Sequence, residues 1–179
     1  MLNRKEIADK IKKTGFQCKM CGECCTNQSE DSNLVLLNAP EVREIINATG
    51  MEWNDIAEPY PEFFTENGCK YTFAWCLKRN DNRCIFLGEQ NRCKIYKNRP
   101  WICRTYPFML NEDDLIVSEC KNCGCEISEE DALLNADELI ERKKSEDMEF
   151  DKIHRIYKDA VLSGKKYCVI DSEGVKQIG

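Results

Sequence analysis

The spacing of apolar residues near the N-terminus predicts an amphipathic helix over residues 3–14. Ile7 and Ile11 are four positions apart, which places both side chains on one face of an α-helix. Asn3 can accept hydrogen bonds from the first backbone N–H groups, and Gly15 can end the helix. This helix leads directly into the segment richest in cysteine.

The central part of the chain changes from helical to strand character. Asn38-Ala-Pro-Glu41 supplies a cap, an early proline and an acidic residue three positions after the cap, so we expect a helix that ends near Gly50. Residues 53–67 include two prolines and are predicted to form an irregular connector with one helical turn. Alternating apolar residues between Cys69 and Tyr96 predict short strands separated by turns.

The C-terminal part of the chain is predicted to be mainly helical. The prolines that bound residues 99–107 indicate a two-turn helix, and residues 111–114 form a turn between two apolar segments. Apolar residues at helical spacing predict a long helical region from Ser128 to about residue 163, with a break near Ser145. Residues 167–170 are predicted to form a terminal strand.

These elements predict a single α+β domain over residues 1–179. Neither an internal repeat nor a low-complexity linker divides the sequence. We expect residues 16–125 to form a core of short β-hairpins and loops around a cysteine-ligated metal centre. Residues 126–179 would add a long helical extension with a terminal strand.

Cysteine content changes this picture most. The chain has 13 cysteines in 179 residues and a hydrophobic fraction of 42%. The N-terminal segment lacks the apolar core of a signal peptide, and no run is long enough for a membrane span, so we expect a cytoplasmic protein that does not bind membranes. Thiols stay reduced in the cytoplasm, where dense cysteine indicates metal or redox chemistry rather than disulfides.

The net charge limits the classes of partner. A formal charge of −6 at pH 7 argues against nucleic acid, because binding to phosphates requires a basic surface. A protein partner, which the sequence does not identify, is the expectation that remains.

The segment Cys18-x-x-Cys21-x-x-Cys24-Cys25 is the strongest candidate for a ligand group. It brings four thiols within eight residues, and Gly22 eases the turn between them. Adjacent residues do not easily bind one metal together, so Cys24 and Cys25 either reach different centres or include one redox-active spare thiol.

Further cysteines form two weaker groups. The predicted additional metal ligands are Cys84, Cys93, Cys103, Cys120 and Cys123. Cys120-x-x-Cys123-x-Cys125 again contains a chelating pair, whereas the wide spacing from Cys84 to Cys103 is less specific. The roles of Cys69, Cys76 and Cys125 stay open, and Cys168 lies in an apolar strand that favours core packing.

Two kinds of centre fit these cysteines. Two Cys-x-x-Cys pairs, such as Cys21/Cys24 with Cys120/Cys123, could bind Zn²⁺. Three cysteines at intervals of three plus a remote fourth are more typical of a [4Fe–4S] cluster. Because cysteines exceed the needs of one four-thiolate site and only one histidine is present, an iron–sulfur cluster is favoured and zinc is the alternative.

The sequence supplies no catalytic motif beyond the cysteines, so enzymatic activity is left undecided. It has neither a phosphate-binding glycine loop nor the Cys-x3-Cys-x2-Cys spacing of radical chemistry with S-adenosylmethionine. The single histidine, His154, is expected on a solvated helix surface. Arg99 and Arg104 flank Cys103 and could donate hydrogen bonds to a cluster, or could hold the turn by pairing with carbonyls or carboxylates.

Two motifs together resemble a known family. Phe16-Gln-Cys-Lys-Met-Cys-Gly-Glu-Cys-Cys25 and the segment from Cys84 through Arg99-Pro-Trp-Ile-Cys103 to Phe108 are similar to the CxxCxxCC cysteine-cluster family, the YkgJ-like zinc- or iron-chelating domain. The resemblance implies a metal-chelating role for the family's recurring cysteines. They correspond to Cys18, Cys21, Cys24, Cys25, Cys84, Cys93, Cys103 and Cys120. Cys69, Cys76, Cys123 and Cys125 are additions that could build a second centre.

The sequence is therefore consistent with three functions. The favoured one is an oxygen-sensitive [4Fe–4S] protein that transfers electrons or supports a metalloenzyme. The second is a zinc-stapled module that binds a protein partner. The third follows only from the resemblance, because a similar domain occurs in bacterial flagellin lysine methylases, and is an accessory role in protein methylation.

Overall fold

The computed structural model describes residues 2–26, 34–112, 114–162, 164 and 166–178. Helices and small sheets are both present there, which confirms the predicted α+β class. In these residues the α-helices are α1 Arg4–Thr14, α2 Ala39–Thr49, α3 Trp53–Ile56, α4 Trp101–Thr105 and α5 Glu129–Asp159. The strands are β1 Leu36–Leu37, β2 Ala57–Pro59, β3 Phe64–Glu66, β4 Cys69–Thr72, β5 Trp75–Leu77, β6 Arg79–Asn80, β7 Arg83–Cys84, β8 Phe108–Leu110, β9 Leu115–Val117, β10 Tyr167–Asp171 and β11 Gly174–Gln177.

The chain divides into two compact units. Unit 1 comprises Met1–Cys21 and Trp101–Ser145, and unit 2 comprises Gly22–Pro100 and Glu146–Gly179. The long helix α5 contributes its first half to unit 1 and its second half to unit 2. Each unit has its own hydrophobic core and its own set of cysteines.

Unit 1 is built on the packing of α1 against the first half of α5. Ile7 and Ile11 of α1 are almost fully buried and pack with Ala136 and Leu139 of α5 and with Phe108 of β8. The predicted cap is present, because the Asn3 side chain accepts hydrogen bonds from Lys5 and Glu6 N–H groups while the Glu6 carboxylate accepts from the Asn3 N–H. The N-terminal helix predicted from the sequence is therefore confirmed.

Unit 2 contains the two-stranded sheet β6-β7 and two larger sheets. One has the strand order β1-β5-β2 and is antiparallel, and the other has the order β11-β10-β4-β3, in which β10 runs parallel to β4. Val42 and Ile45 of α2 pack on Trp75 and Leu77 of β5 and on Val169 of β10. The helix predicted after Asn38 is confirmed, since the capping hydrogen bonds are present and Gly50 ends the helix.

Four predictions of local structure require correction. The helical turn predicted within residues 53–67 is present as α3. The rest of the segment forms β2 and β3 rather than an irregular connector, because β2 pairs with β5 and β3 pairs with β4, strands that lie outside the segment. The predicted break near Ser145 is absent, and α5 is continuous to Asp159. A second strand, β11, follows the predicted terminal strand. Strands are also predicted between Cys84 and Tyr96. Cys84 lies in β7, but the residues that follow form turns stabilised by local backbone hydrogen bonds.

Residue 113 of the predicted turn at 111–114 lies outside the described residues. The apolar segments on either side of this turn are β8 and β9, which pair with each other. No described helix has both the length and the apolar composition that crossing a bilayer requires.

One surface ion pair fixes the β10–β11 turn against α2 in unit 2 and should make stability depend on pH. Arg43 donates two hydrogen bonds to the Glu173 carboxylate, at 3.2 and 3.0 Å, and together with Lys176 it lowers the pKa of Glu173 to about 2. A depressed folded-state pKa stabilises the protein above the ordinary glutamate pKa, and that contribution disappears as the pH falls towards 2.

We expect Glu173→Gln to lose about 0.5–1 kcal/mol at pH 7, because the pair is largely exposed. The difference from wild type should shrink below pH 4 in urea unfolding curves. Glu62→Gln, at an exposed position, serves as the control. A difference that is constant from pH 7 to pH 3 would contradict the assignment.

Candidate metal-binding site

All 13 cysteines are thiols in the structure, and their burial separates them into two kinds. Cys69, Cys76 and Cys168 are no more than 1% exposed, and the other ten are half-buried or exposed. Accessible thiols can reach a metal, whereas fully buried thiols behave as small apolar core residues. The three buried cysteines all lie in strands of unit 2.

The loop that carries Cys24 and Cys25 depends on Gly22. Its φ is +79°, and a Cβ at this position would lie 2.7 Å from the Cβ of Asn91. Only glycine combines this backbone conformation with such a close approach to another loop. The Cys25 N–H then donates to the Gly22 carbonyl and closes a single 3₁₀ turn, Glu23–Cys25.

Two β-bridges bring Cys84 and Cys93 into the same region of unit 2. Thr26 pairs antiparallel with Arg83, which places the neighbouring Cys25 beside Cys84. Leu87 pairs antiparallel with Cys93, and the Lys94 N–H donates to the Phe86 carbonyl. We call Cys24, Cys25, Cys84 and Cys93 the hairpin group.

The pKa values of the hairpin group show that its members interact. A hydrogen bond from the Cys25 side chain, aided by the positive charge of Arg99, lowers the pKa of Cys24 to about 7 against an opposing effect of burial. Burial raises the pKa of Cys84 and Cys93, and a negative neighbour raises each further: Cys93 acts on Cys84, and Cys24 acts on Cys93. Charge on one thiol therefore affects the next through the group.

The structure separates the two arginines singled out in the sequence. Arg99 lies in unit 2, where its charge acts on both Cys24 and Cys93. Its Nε donates to the Tyr96 carbonyl, and its guanidinium stacks 3.6 Å from the centre of the Tyr96 ring. Arg104 lies in unit 1, where its guanidinium is 4.9 Å from the Trp101 ring. A role for either arginine at a cluster stays a prediction.

A second set of cysteines comes together in unit 1. Residues 120–125 form a loop in which the Cys123 N–H donates to the Cys120 carbonyl, and Gly124 follows with a φ of +89°. Burial raises the pKa of Cys123, and Cys120 and Cys125 raise it further, so the three thiols are electrostatic neighbours.

The end of α1 is bound to this loop. Phe16 forms an antiparallel bridge with Cys123, and the Gly124 N–H donates to the carbonyls of Thr14 and Gly15 at 3.0 and 2.8 Å. Cys18 and Cys21 follow immediately in the chain. The Asn122 amide donates to the Cys21 sulfur at 3.8 Å, which joins the first Cys-x-x-Cys segment to the second. We call Cys18, Cys21, Cys120 and Cys123 the knuckle group.

Sequence reasoning missed Asn91 and Asn122. Both are asparagines in loops, where the residue usually serves a turn, so composition alone does not identify them. Their positions carry a usable signal: Asn122 lies inside a Cys-x-x-Cys pair, and Asn91 lies two residues before Cys93.

The remaining cysteines have distinct positions. Cys103 is half-buried on α4 in unit 1, and Cys125 is half-buried beneath the end of α1. Cys69 and Cys168 bring their sulfurs to 3.4 Å in the core of unit 2, where Cys168 packs as predicted. Burial raises the pKa of Cys76 to about 12, so this thiol stays protonated.

His154 takes no part in either cysteine group. It is exposed on α5, where its ring stacks on Phe150 at a centroid distance of 6.2 Å. This agrees with the solvated helix position predicted from the sequence.

The donor chemistry fits a metal that prefers sulfur. Both groups consist entirely of thiols, the ligand type that selects zinc, Cu(I) and iron–sulfur clusters. Across the described part of the chain, no three Cys, His, Asp or Glu side chains already converge at metal-binding spacing. Deprotonated thiols repel one another, so a metal would have to draw these side chains together when it binds.

The fold and these two cysteine groups define a thiolate-rich, metal-binding protein. A family model described as "Putative zinc- or iron-chelating domain" matches residues 17–124, and the chain belongs to this CxxCxxCC family. Metal binding, though not the identity of the metal, therefore agrees with the sequence prediction.

Similarity to an individual protein covers only part of the chain. The uncharacterized protein MJ0661 of Methanocaldococcus jannaschii is 30% identical over 94 residues, which are 52% of this chain and 44% of that protein. The chain thus spans less than half the length of this relative. No solved structure matches the chain.

Proposed function

We propose that the protein carries a [4Fe–4S]-type cluster on the hairpin group and uses it to transfer electrons to a protein partner or to support a metalloenzyme in the cytoplasm. The observation that carries the proposal is the interaction of Cys24, Cys25, Cys84 and Cys93 within one unit. Two β-bridges organise these four residues around the loop that begins at Gly22.

The residues have distinct parts in this proposal. The four thiolates would hold the cluster, which when bound supplies one-electron exchange. This assignment departs from the sequence expectation that Cys24 and Cys25 serve different centres or include a spare thiol. A cluster contains several irons, so two adjacent thiolates need not share one metal ion. Arg99 adds a positive charge beside Cys24 and Cys93, and its guanidinium is fixed by the Tyr96 ring and carbonyl. Positive charge and hydrogen bonds near cluster sulfurs favour the reduced form, which bears more negative charge.

The test is the metal and acid-labile sulfide content of the full chain purified without oxygen. We expect about four irons and four sulfides per cluster, with visible absorption that bleaches in air. Cys84→Ala should lose most of the iron and sulfide. Cys168→Ala is the matched control, because it removes one thiol that lies outside both groups.

Two outcomes would overturn the proposal. One is anaerobic protein that contains zinc and no sulfide. The other is a Cys84→Ala variant that retains the full iron and sulfide content of the Cys168→Ala control.

A further inference from the structure

We propose that unit 1 holds a second, separate metal centre, in which Cys18, Cys21, Cys120 and Cys123 bind one divalent ion, zinc or ferrous iron, without inorganic sulfide. The inference goes beyond the cluster proposed for the hairpin group and does not depend on it. It assigns four of the ten accessible cysteines to a mononuclear site.

The first support is local backbone geometry. The Cys120-x-x-Cys123 segment is closed by a 3.0 Å hydrogen bond from the Cys123 N–H to the Cys120 carbonyl. Gly124 follows at positive φ, as Gly22 does after Cys21. Both pairs thus have the form Cys-x-x-Cys-Gly, in which a glycine turns the backbone so that two sulfurs can face one ion.

The second support is the contact between the two pairs. Phe16 bridges to Cys123, and the Gly124 N–H is shared between the carbonyls of Thr14 and Gly15. Cys18 lies only two residues beyond Phe16, so the first pair starts beside the second pair. Two pairs held together in this way supply the four thiolates that a tetrahedral ion requires.

The third support is Asn122. Its amide lies inside one Cys-x-x-Cys pair and donates to the sulfur of Cys21 in the other. Donors of this kind orient a ligating sulfur and favour its thiolate form. Asn122 therefore acts as a positioning residue for a site that includes sulfurs from both pairs.

Cys125 is not assigned to this centre. Its carbonyl oxygen lies against Gly15, 1.9 Å from where a Cβ would be, so the backbone at Cys125 serves the packing of α1. One residue separates Cys123 from Cys125, whereas two residues separate the members of each pair in the knuckle group.

The experiment compares reciprocal variants of the full chain purified without oxygen. Zinc, iron and acid-labile sulfide are measured in wild type, Cys123→Ala, Cys84→Ala and the Cys168→Ala control. We expect Cys123→Ala to lose one equivalent of zinc, or of iron unaccompanied by sulfide, and to retain its sulfide. Cys84→Ala should show the reverse pattern. Asn122→Ala should keep the ion but weaken its retention against a chelator several-fold.

A second measurement does not depend on folding of the variants. Wild-type protein is alkylated before and after treatment with a chelator that binds both zinc and ferrous iron, and each cysteine is assigned by peptide mapping. We expect Cys18, Cys21, Cys120 and Cys123 to become reactive together.

The outcomes separate this inference from the proposed function. Loss of the same metal from Cys123→Ala and Cys84→Ala would indicate one shared centre and overturn the inference, as would chelation that exposes the Cys120/Cys123 pair alone. If sulfide is absent from every sample while Cys123→Ala alone still loses one ion, the proposed cluster fails and the second centre stands.

Discussion

Gly15→Ala should destabilise the protein by about 3 kcal/mol or more, combining a backbone clash with conformational strain. Gly15 ends α1 with a φ of +63°, and a Cβ added there would lie 1.9 Å from the Cys125 carbonyl oxygen. A flexible side chain could move away, but a backbone carbonyl can move only with its loop. The Cys120–Cys123 pair would be displaced from the end of α1, so we also expect metal to be lost from the knuckle group.

Gly50 provides a matched control for this effect. It also follows a helix at positive φ, +72°, but among the described residues no atom other than those of its chain neighbours and its own helix lies within 4 Å of a Cβ built there. Gly50→Ala should therefore cost only the conformational penalty of about 1 kcal/mol. Urea unfolding of both variants measures the difference. Equal losses of stability would show that Gly15 is not in close contact with Cys125.

Asp171→Ala should destabilise the protein by about 2–4 kcal/mol, because it leaves buried donors without an acceptor. Asp171 is 2% exposed in unit 2. One carboxylate oxygen accepts from the Trp75 indole N–H at 2.8 Å and from the Lys176 ammonium at 2.9 Å, and the other accepts from the Glu173 N–H at 2.9 Å. Trp75 is itself buried, so its N–H cannot bond to water instead.

Two further variants define the cause. Asp55→Ala removes an exposed aspartate and should stay within about 0.5 kcal/mol of wild type in the same urea unfolding measurement. Asp171→Asn keeps one oxygen acceptor but removes the negative charge, so its loss should be intermediate. A loss below about 1 kcal/mol for Asp171→Ala would be inconsistent with this buried network as a source of stability.

The parts of the fold that could be predicted are those determined by neighbouring residues. Asn3 and Asn38 each precede a helix and have a glutamate three positions later, and both capping boxes are present. The helix α5 departs from the prediction at Ser145, where it is continuous and Lys144 pairs with Glu141 at the i,i+3 spacing.

The parts that could not be predicted depend on contacts between distant segments. The parallel pairing of β10 with β4 joins strands nearly 100 residues apart, as the register Cys168 to Tyr71 shows. The sequence offered Cys21 with Cys120 and Cys123 only as one zinc alternative. It did not indicate the contacts of Gly15, Phe16 and Asn122 that connect the first cysteine segment to the Cys120 loop. The cysteine types identified the chemistry, whereas tertiary structure determined how they group.

The burial of Cys69, Cys76 and Cys168 has a consequence for metal loading in the cell. A chain with 13 thiols offers many wrong four-sulfur combinations to the first ion that it meets, and each could trap a misfolded product. Once unit 2 has folded, three of these thiols are sealed inside its core, and the number of wrong combinations falls sharply. If the apolar core folds before metal binds, these three thiols are no longer accessible, and metal binds more often to the correct cysteines.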